Sequence, residues 1–144
     1  SDLPPMTLDS LNEEGKAFVG DTMQTPPMVS AVKVDGVPLY KLARKGKTVE
    51  RKARLVHIYR FKFSDYTEPE AVFSLACTKG TYVRTIAHEL GEAVGCGAHL
   101  NSLRRTRSGT FDVKDASTID ELLKMNEDEL SKKVLPFTSL VQPE

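Results

Sequence analysis

Two runs of alternating apolar and polar residues, Leu55 to Phe63 and Ala71 to Cys77, constrain this chain more than any other feature. A period of two belongs to an extended strand, whose successive side chains point to opposite faces. In the first run Leu55, His57, Tyr59, Phe61 and Phe63 fall on one face, and Val56, Ile58, Arg60 and Lys62 on the other. In the second, Ala71, Phe73, Leu75 and Cys77 share a face. The polar stretch Asp65 to Glu70 predicts a turn between them, so the two runs predict an antiparallel hairpin. From Thr85 to Val94 the period becomes helical, with Ile86, Leu90, Ala93 and Val94 on the side that would lie on the sheet and Gly95 closing the helix.

The residues joining strand to helix, Cys77-Thr78-Lys79-Gly80-Thr81-Tyr82-Val83-Arg84-Thr85, are the first chemical candidate. Gly80 permits backbone angles that a side chain would forbid. A helix opening after this turn presents unpaired N–H groups, and Lys79 and Arg84 add charge beside them, a combination that favours an anion. Tyr82 lies between the two cations, with a face that can stack on a base and a hydroxyl that can handle a proton. An ordinary helix start with two solvated cations and a half-buried tyrosine is the other reading of the same residues.

At 144 residues, 40% apolar and 28% charged, the chain fits one soluble domain with a hydrophobic core. It has no apolar run of membrane-spanning length and no signal-peptide pattern, so a cytoplasmic protein without membrane contact is expected. Two cysteines, Cys77 and Cys96, suit a reducing compartment. The net charge is zero but unevenly spread: ten basic residues from Lys33 to Lys62 face only Asp35 and Glu50, a net +8, while residues 1–21 and 115–144 each carry −4. A positive block inside a neutral protein reads as a polyanion site, extended by Arg104, Arg105 and Arg107. A merely solvated surface is the alternative.

Leu3-Pro4-Pro5 predicts an extended arm, then a helix over Leu8–Lys16 capped by Asp9 or Ser10. A short strand is expected at Ala17–Met23, ended by Gln24-Thr25-Pro26-Pro27. Met28–Val34 alternates as a strand, Asp35-Gly36 signals a tight turn, and Pro38 opens a basic helix over Leu39–Lys45 closed by Gly46. That helix is short enough to be marginal alone, so residues 24–50 are expected to be mobile until a partner holds them. Beyond Gly95, a helix is expected at Ala98–Arg105, a strand at Arg107–Val113, and capped helices after Thr118 and Asn126, each followed three residues later by a glutamate. The sum is an α+β layer, mostly antiparallel, with helices on one face.

Several chemistries fit poorly. Cys96 and His99 have ligand-like spacing, with Cys77 and His88 available, but a structural zinc site wants two tight pairs and only one is present, so no metal is expected. No nucleophile elbow and no Gly-rich phosphate loop occurs. What remains is a basic patch, a Tyr–Arg pair at a helix start and an arginine-rich segment, parts suited to structured RNA and to a base drawn out of its stack.

These residues resemble a known family. Gln24-x-Pro26-Pro27-x-x-Ser30-Ala31-Val32-Lys33-x-x-Gly36, followed by Leu39-Tyr40-x-x-Ala43-Arg44-x-Gly46, resembles the RNA-contacting insertion of bacterial TruB-type tRNA pseudouridine synthases. Lys79-Gly80-Thr81-Tyr82-Val83-Arg84-Thr85 resembles the family's Tyr–Arg motif, and Ala98-His99-Leu100-x-x-Leu103-Arg104-Arg105-Thr106-Arg107-Ser108-Gly109 the segment that follows it. The three motifs occur in order over about residues 18–112, and the tail to Leu140 is compatible. The resemblance implies isomerisation of a uridine in the tRNA T loop to pseudouridine, without cofactor. It implies an aspartate nucleophile, Tyr82 against the flipped base as the group removing the C5 proton, Arg84 paired with the aspartate, and Leu103 lining the uracil pocket. It also implies tRNA contacts from Lys33, Tyr40, Lys41, Arg44, Lys45, Lys79, Arg104 and Arg105, the first five on a thumb-like insertion at about residues 24–50.

The departures from the family pattern matter equally. No aspartate here stands in the family's Gly-x-Leu-Asp-Pro context, and the second pocket tyrosine is missing. Val29 stands where the family usually has tyrosine, and the C-terminal RNA-binding module of many members is expected to be absent. The chain therefore reads as the C-terminal half of a pseudouridine synthase catalytic domain, inactive alone. A non-catalytic RNA-binding module is the alternative; a guide-RNA-dependent relative of the dyskerin type ranks below both.

Overall fold

The computed structural model describes residues 5–136, so the expected Leu3-Pro4-Pro5 arm, apart from Pro5, and the tail to Leu140 beyond Pro136 lie outside the described residues. The chain divides into two units, one ending at Ser102 and one beginning at Leu103.

The first unit contains α1 (Leu8–Lys16), β1 (Gly20–Gln24), β2 (Lys33–Val34), β3 (Val37–Pro38), α2 (Leu39–Arg44), β4 (Arg54–Thr67), β5 (Glu70–Cys77) and α3 (Val83–Val94). β1, β4 and β5 form one antiparallel sheet in that order, as an α+β layer requires. Leu11 of α1 and Ile86 and Leu90 of α3 close a core with Ile58, Phe61 and Phe63 of β4. Phe73 joins from β5, its ring edge-on to Phe61 at 5.2 Å. Each fully buried side chain of this size stabilises the fold by about 1.5–3 kcal/mol.

The strict alternation expected along β4 is broken twice. Ile58 pairs with Cys77 and Arg60 with Ala76, so Tyr59 is an extra residue; Phe63 pairs with Phe73 and Asp65 with Val72, so Ser64 is another. Each bulge moves the inward register by one residue. The buried side is therefore Val56 and Ile58, then Phe61 and Phe63, then the half-buried Tyr66, whereas Leu55 and Tyr59 are exposed. Asn12 of α1 serves the second bulge: its amide donates to the Phe63 carbonyl at 3.2 Å and accepts from the Phe63 N–H at 2.9 Å. Burial pushes the Tyr66 phenol up, and Glu68 adds to the shift.

Several local expectations are corrected. α1 has the expected bounds, but its cap is Thr7, not Asp9 or Ser10: with the helix opening at Leu8, the donor within reach of a cap is the Ser10 N–H, at 3.1 Å from Thr7 Oγ1. Met28–Val34 contributes only the two residues of β2, which turns through Asp35 (φ 51°) and Gly36 (φ 78°) into β3. Two successive positive φ angles make the tight hairpin that Asp-Gly favours. α3 begins at Val83, two residues before the expected start. Ala93 is exposed and faces a cavity of about 370 Å³ lined also by Glu14, Phe18, Asp21, Thr22 and Glu89. Ala98–Ser102 is not helical: its backbone crosses over Gly91, where a side-chain carbon would stand 2.0 Å from the Ala98 nitrogen.

The second unit holds the hairpin of β6 (Arg107–Ser108) and β7 (Phe111–Asp112), a 3-10 turn (Val113–Asp115), α4 (Ile119–Leu123) and α5 (Glu127–Lys133). The expected helix through Arg105 is irregular here as well, and the expected strand Arg107–Val113 folds back at Gly109 (φ 58°). Both predicted capping boxes form, Thr118 with Glu121 and Asn126 with Glu129. From Leu103 to Pro136 no residue is buried. Among the described residues no helix is long and apolar enough to cross a membrane.

Candidate functional site

The strand-to-helix turn has the expected form. Thr81 Oγ donates to the Thr78 carbonyl at 2.8 Å, and Gly80 takes φ 82°. Thr78 is in turn fixed to β4, its hydroxyl accepting from the His57 N–H at 2.9 Å. The turn delivers the chain to Tyr82, the N-cap of α3, with an extended backbone (φ −96°, ψ 103°) and no side-chain cap. α3 thus opens without a capping side-chain acceptor, its Thr85 N–H turning back to the Tyr82 carbonyl at 3.1 Å, and the dipole of such a helix start favours negative charge. Lys79 and Arg84 are exposed beside it, and Tyr82 is half-buried.

Sequence reasoning missed what holds this corner. Gln24, the last residue of β1, is 3% exposed. Its side-chain oxygen accepts from the Tyr82 N–H at 2.6 Å, and its side-chain nitrogen donates to the Tyr82 carbonyl at 3.1 Å. The available signal was a long amide at the end of a strand, directly before residues that cannot continue it. The segment after Gln24 is tied down twice more. Arg84 Nη2 donates to the Val29 carbonyl at 2.6 Å, and Arg51 Nη1 donates to the Pro26 carbonyl at 3.1 Å. Among the described residues, Arg84 makes no ion pair with a carboxylate.

The basic block continues from this segment. Ser30 and Val32 carbonyls accept from the Tyr40 and Leu39 N–H groups, and the side chain of Leu39 is fully buried. Lys33, Lys41, Arg44 and Lys45 are all exposed, and the Arg44 guanidinium lies 5.5 Å from the centroid of the Tyr40 ring. That i,i+4 cation–π contact stiffens one face of a six-residue helix. Leu103, Arg104 and Arg105 belong to the second unit, where all three are exposed.

Among the described residues no group of three His, Cys, Asp or Glu side chains could hold a metal ion. Cys77 packs against the main core, and the Cys96 thiol donates to the Gly97 carbonyl at 3.3 Å. His57 and Asp21, opposite each other on β4 and β1, are paired at 2.6 Å on the exposed face of the sheet.

Comparison with known proteins bears on this arrangement. Residues 1–83 match the TruB family pseudouridylate synthase (N terminal domain), and residues 84–142 match the tRNA pseudouridylate synthase B C-terminal domain. The chain is 49% identical over 134 residues to tRNA pseudouridine synthase B of Opitutus terrae, covering 93% of this chain and 56% of that protein. It is 44% identical over 142 residues to the protein of that name from Geotalea uraniireducens, covering 97% and 46%. The chain thus spans about half the length of these curated relatives. In three dimensions it is similar to a chain in the crystal structure of a Cbf5-Nop10-Gar1 complex, with a TM-score of 0.72, 27% identity, and coverage of 93% of this chain and 38% of that one. The chain belongs to the TruB family of pseudouridine synthases.

Proposed function

We propose that these residues are the C-terminal half of the catalytic domain of a tRNA pseudouridine synthase, which isomerises a uridine of the T loop to pseudouridine without a cofactor. The observation that carries the reading is the corner at Tyr82 and Arg84: an aromatic hydroxyl and a guanidinium at an uncapped helix start, tied through the Val29 carbonyl to a segment leading into the basic insertion. In this reading an aspartate outside the chain attacks the flipped nucleotide and the bond from N1 of uracil to the ribose breaks. The ring turns, C5 bonds to the ribose carbon as the aspartate carboxylate is released from it, and Tyr82 takes the C5 proton. Arg84 holds the attacking carboxylate ionised, since a nearby positive charge favours the charged form. Leu103 lines the uracil pocket. Lys33, Tyr40, Lys41, Arg44 and Lys45 grip the T arm, with Lys79, Arg104 and Arg105 adding phosphate contacts.

No aspartate of this sequence stands in a Gly-x-Leu-Asp-Pro context, so the covalent step has no nucleophile here. Tritium release from tRNA transcript labelled at uridine C5 tests the assignment. The full-length protein carrying these residues is expected to release label, and the 144-residue chain alone is expected to bind the transcript without turnover. Turnover by the chain alone would refute the division of labour. Absence of both binding and full-length turnover would refute the family chemistry for this protein.

A further inference from the structure

We infer that Gln24 is a positioning residue for Tyr82, a role that rests on the proposal that Tyr82 acts on the flipped uracil. Tyr82 stands where the regular hydrogen-bond pattern changes hands. The ladder of β5 has ended at Cys77, and the ladder of α3 begins only with the donors that follow its cap. At this junction the Tyr82 carbonyl already accepts from the Thr85 and Ile86 N–H groups, at 3.1 and 3.3 Å, whereas its N–H has no ladder to join. The Gln24 amide supplies the missing partner of the N–H, accepting at 2.6 Å, and adds a donor to the carbonyl from the β1 side at 3.1 Å. One planar group bonded to both ends of a residue fixes the peptide planes on either side of its Cα, and so the direction in which the side chain leaves the backbone.

The surroundings stiffen the arrangement. Gln24 is 3% exposed, so water does not compete for its amide. Its own backbone is held in β1 opposite Arg54, and Pro26, two residues on, is fully buried with its carbonyl bonded to Arg51. The next tie, from Arg84 to the Val29 carbonyl, returns to α3 two residues after Tyr82. The segment Gln24–Val29 thus brackets Tyr82 and Arg84 together, and the amide acts on the backbone of the residue whose hydroxyl is used. Gln24 itself touches no reacting atom in this assignment. Its effect should fall on the chemical step rather than on capture of RNA by the basic insertion.

Single-turnover kinetics on the full-length protein, with T-arm RNA as substrate, test this. Gln24→Met keeps the length of the side chain and removes both hydrogen bonds. It is expected to lower the single-turnover rate on the order of 10²-fold, as a misplaced catalytic group does, while RNA affinity changes by less than roughly threefold. Gln24→Glu gives a pH signature. A protonated carboxyl can both accept from the Tyr82 N–H and donate to its carbonyl, whereas a carboxylate can only accept. The rate of Gln24→Glu relative to wild type should therefore rise by about tenfold as the pH is lowered, the worth of one hydrogen bond. An active wild type whose Gln24→Met variant keeps its rate, or loses only RNA affinity, overturns the positioning role alone. Should Gln24→Met fail to fold, a Gln24→Glu rate ratio independent of pH overturns it. A wild type that binds no RNA and turns nothing over removes the reading beneath it, and this inference with it.

Discussion

Two side-chain amides in this molecule do the same thing in different places. Asn12 brackets the peptide of Phe63 inside the layer, at 2.9 and 3.2 Å, and Gln24 brackets the peptide of Tyr82 at the start of α3, at 2.6 and 3.1 Å. The first sits where a β-bulge interrupts a ladder, and Phe61, Phe63 and Phe73 crowd together beneath it. The second sits where a strand gives way to a helix, next to exposed cations. Both answer one requirement: a backbone that leaves a regular ladder still needs partners. In the layer the answer is backed by a core, so its removal is felt as lost stability. At the corner it is backed by a few hydrogen bonds, so its removal is felt as lost direction.

The largest effect should come from breaking the layer directly. Phe63→Ala is expected to cost about 3–5 kcal/mol in urea unfolding, because a 2%-exposed ring leaves a cavity among other rings. A loss of under about 1 kcal/mol would mean that this core is loosely packed. Asn12→Ala comes next, at about 1–3 kcal/mol, since it strands the Phe63 N–H and carbonyl in a half-buried setting. If Asn12→Ala leaves unfolding unchanged, the likeness between the two amides is superficial.

Charge reversal at Lys41, Arg44 and Lys45 should leave unfolding within about 0.5 kcal/mol of wild type, because all three are exposed. The slope of log affinity for tRNA against log salt should become shallower by about 2–3, roughly one for each phosphate no longer neutralised. An unchanged slope would make the basic block a solvated face. Tyr82→Phe removes only a hydroxyl, so it should shift stability by no more than about 0.5 kcal/mol while tritium release by the full-length protein falls. Retained release would reassign the proton transfer.

The smallest effect belongs to α4, outside both regions. The Thr118 backbone N–H, and then its side chain, hold the Glu121 carboxyl below the usual carboxylate range. A depressed folded-state pKa contributes stability above the unfolded value of 4.5 and loses it as pH falls through the lower folded value. Helicity of this segment, followed by circular dichroism, should therefore decline at acid pH in the wild type and lose that dependence in Glu121→Gln. The same decline in Glu121→Gln would place the acid sensitivity elsewhere.

Elements whose cause is local were legible in the sequence. The bounds of α1, the Asp35-Gly36 hairpin, the β4–β5 pairing and both glutamate capping boxes each follow from a few neighbouring residues. The faces of β4 were not legible beyond Ile58, because a bulge at Tyr59 is set by pairing with β5 and leaves no mark on the alternation itself. The helix expected after Gly97 failed for a similar reason: its helical spacing was outweighed by the backbone crossing at Gly91. At the candidate site Tyr82, Arg84 and the basic insertion could be singled out by chemical type. Gln24 could not be singled out by chemical type, since its partner lies 58 residues away; only its place at a strand end, just before Thr25-Pro26-Pro27, pointed to it.

The two extra residues in β4 make its length a coding property. Substitution at Tyr59 or Ser64 changes one side chain, and each is exposed. Deletion at either place would remove the extra residue itself and return the strand to strict alternation, with Ile58, Phe61, Phe63 and Tyr66 still on the buried side. Deletion of Lys62, between the bulges, would instead send Phe63 to the opposite side. This strand should therefore tolerate a missing letter at its bulges far better than one between them.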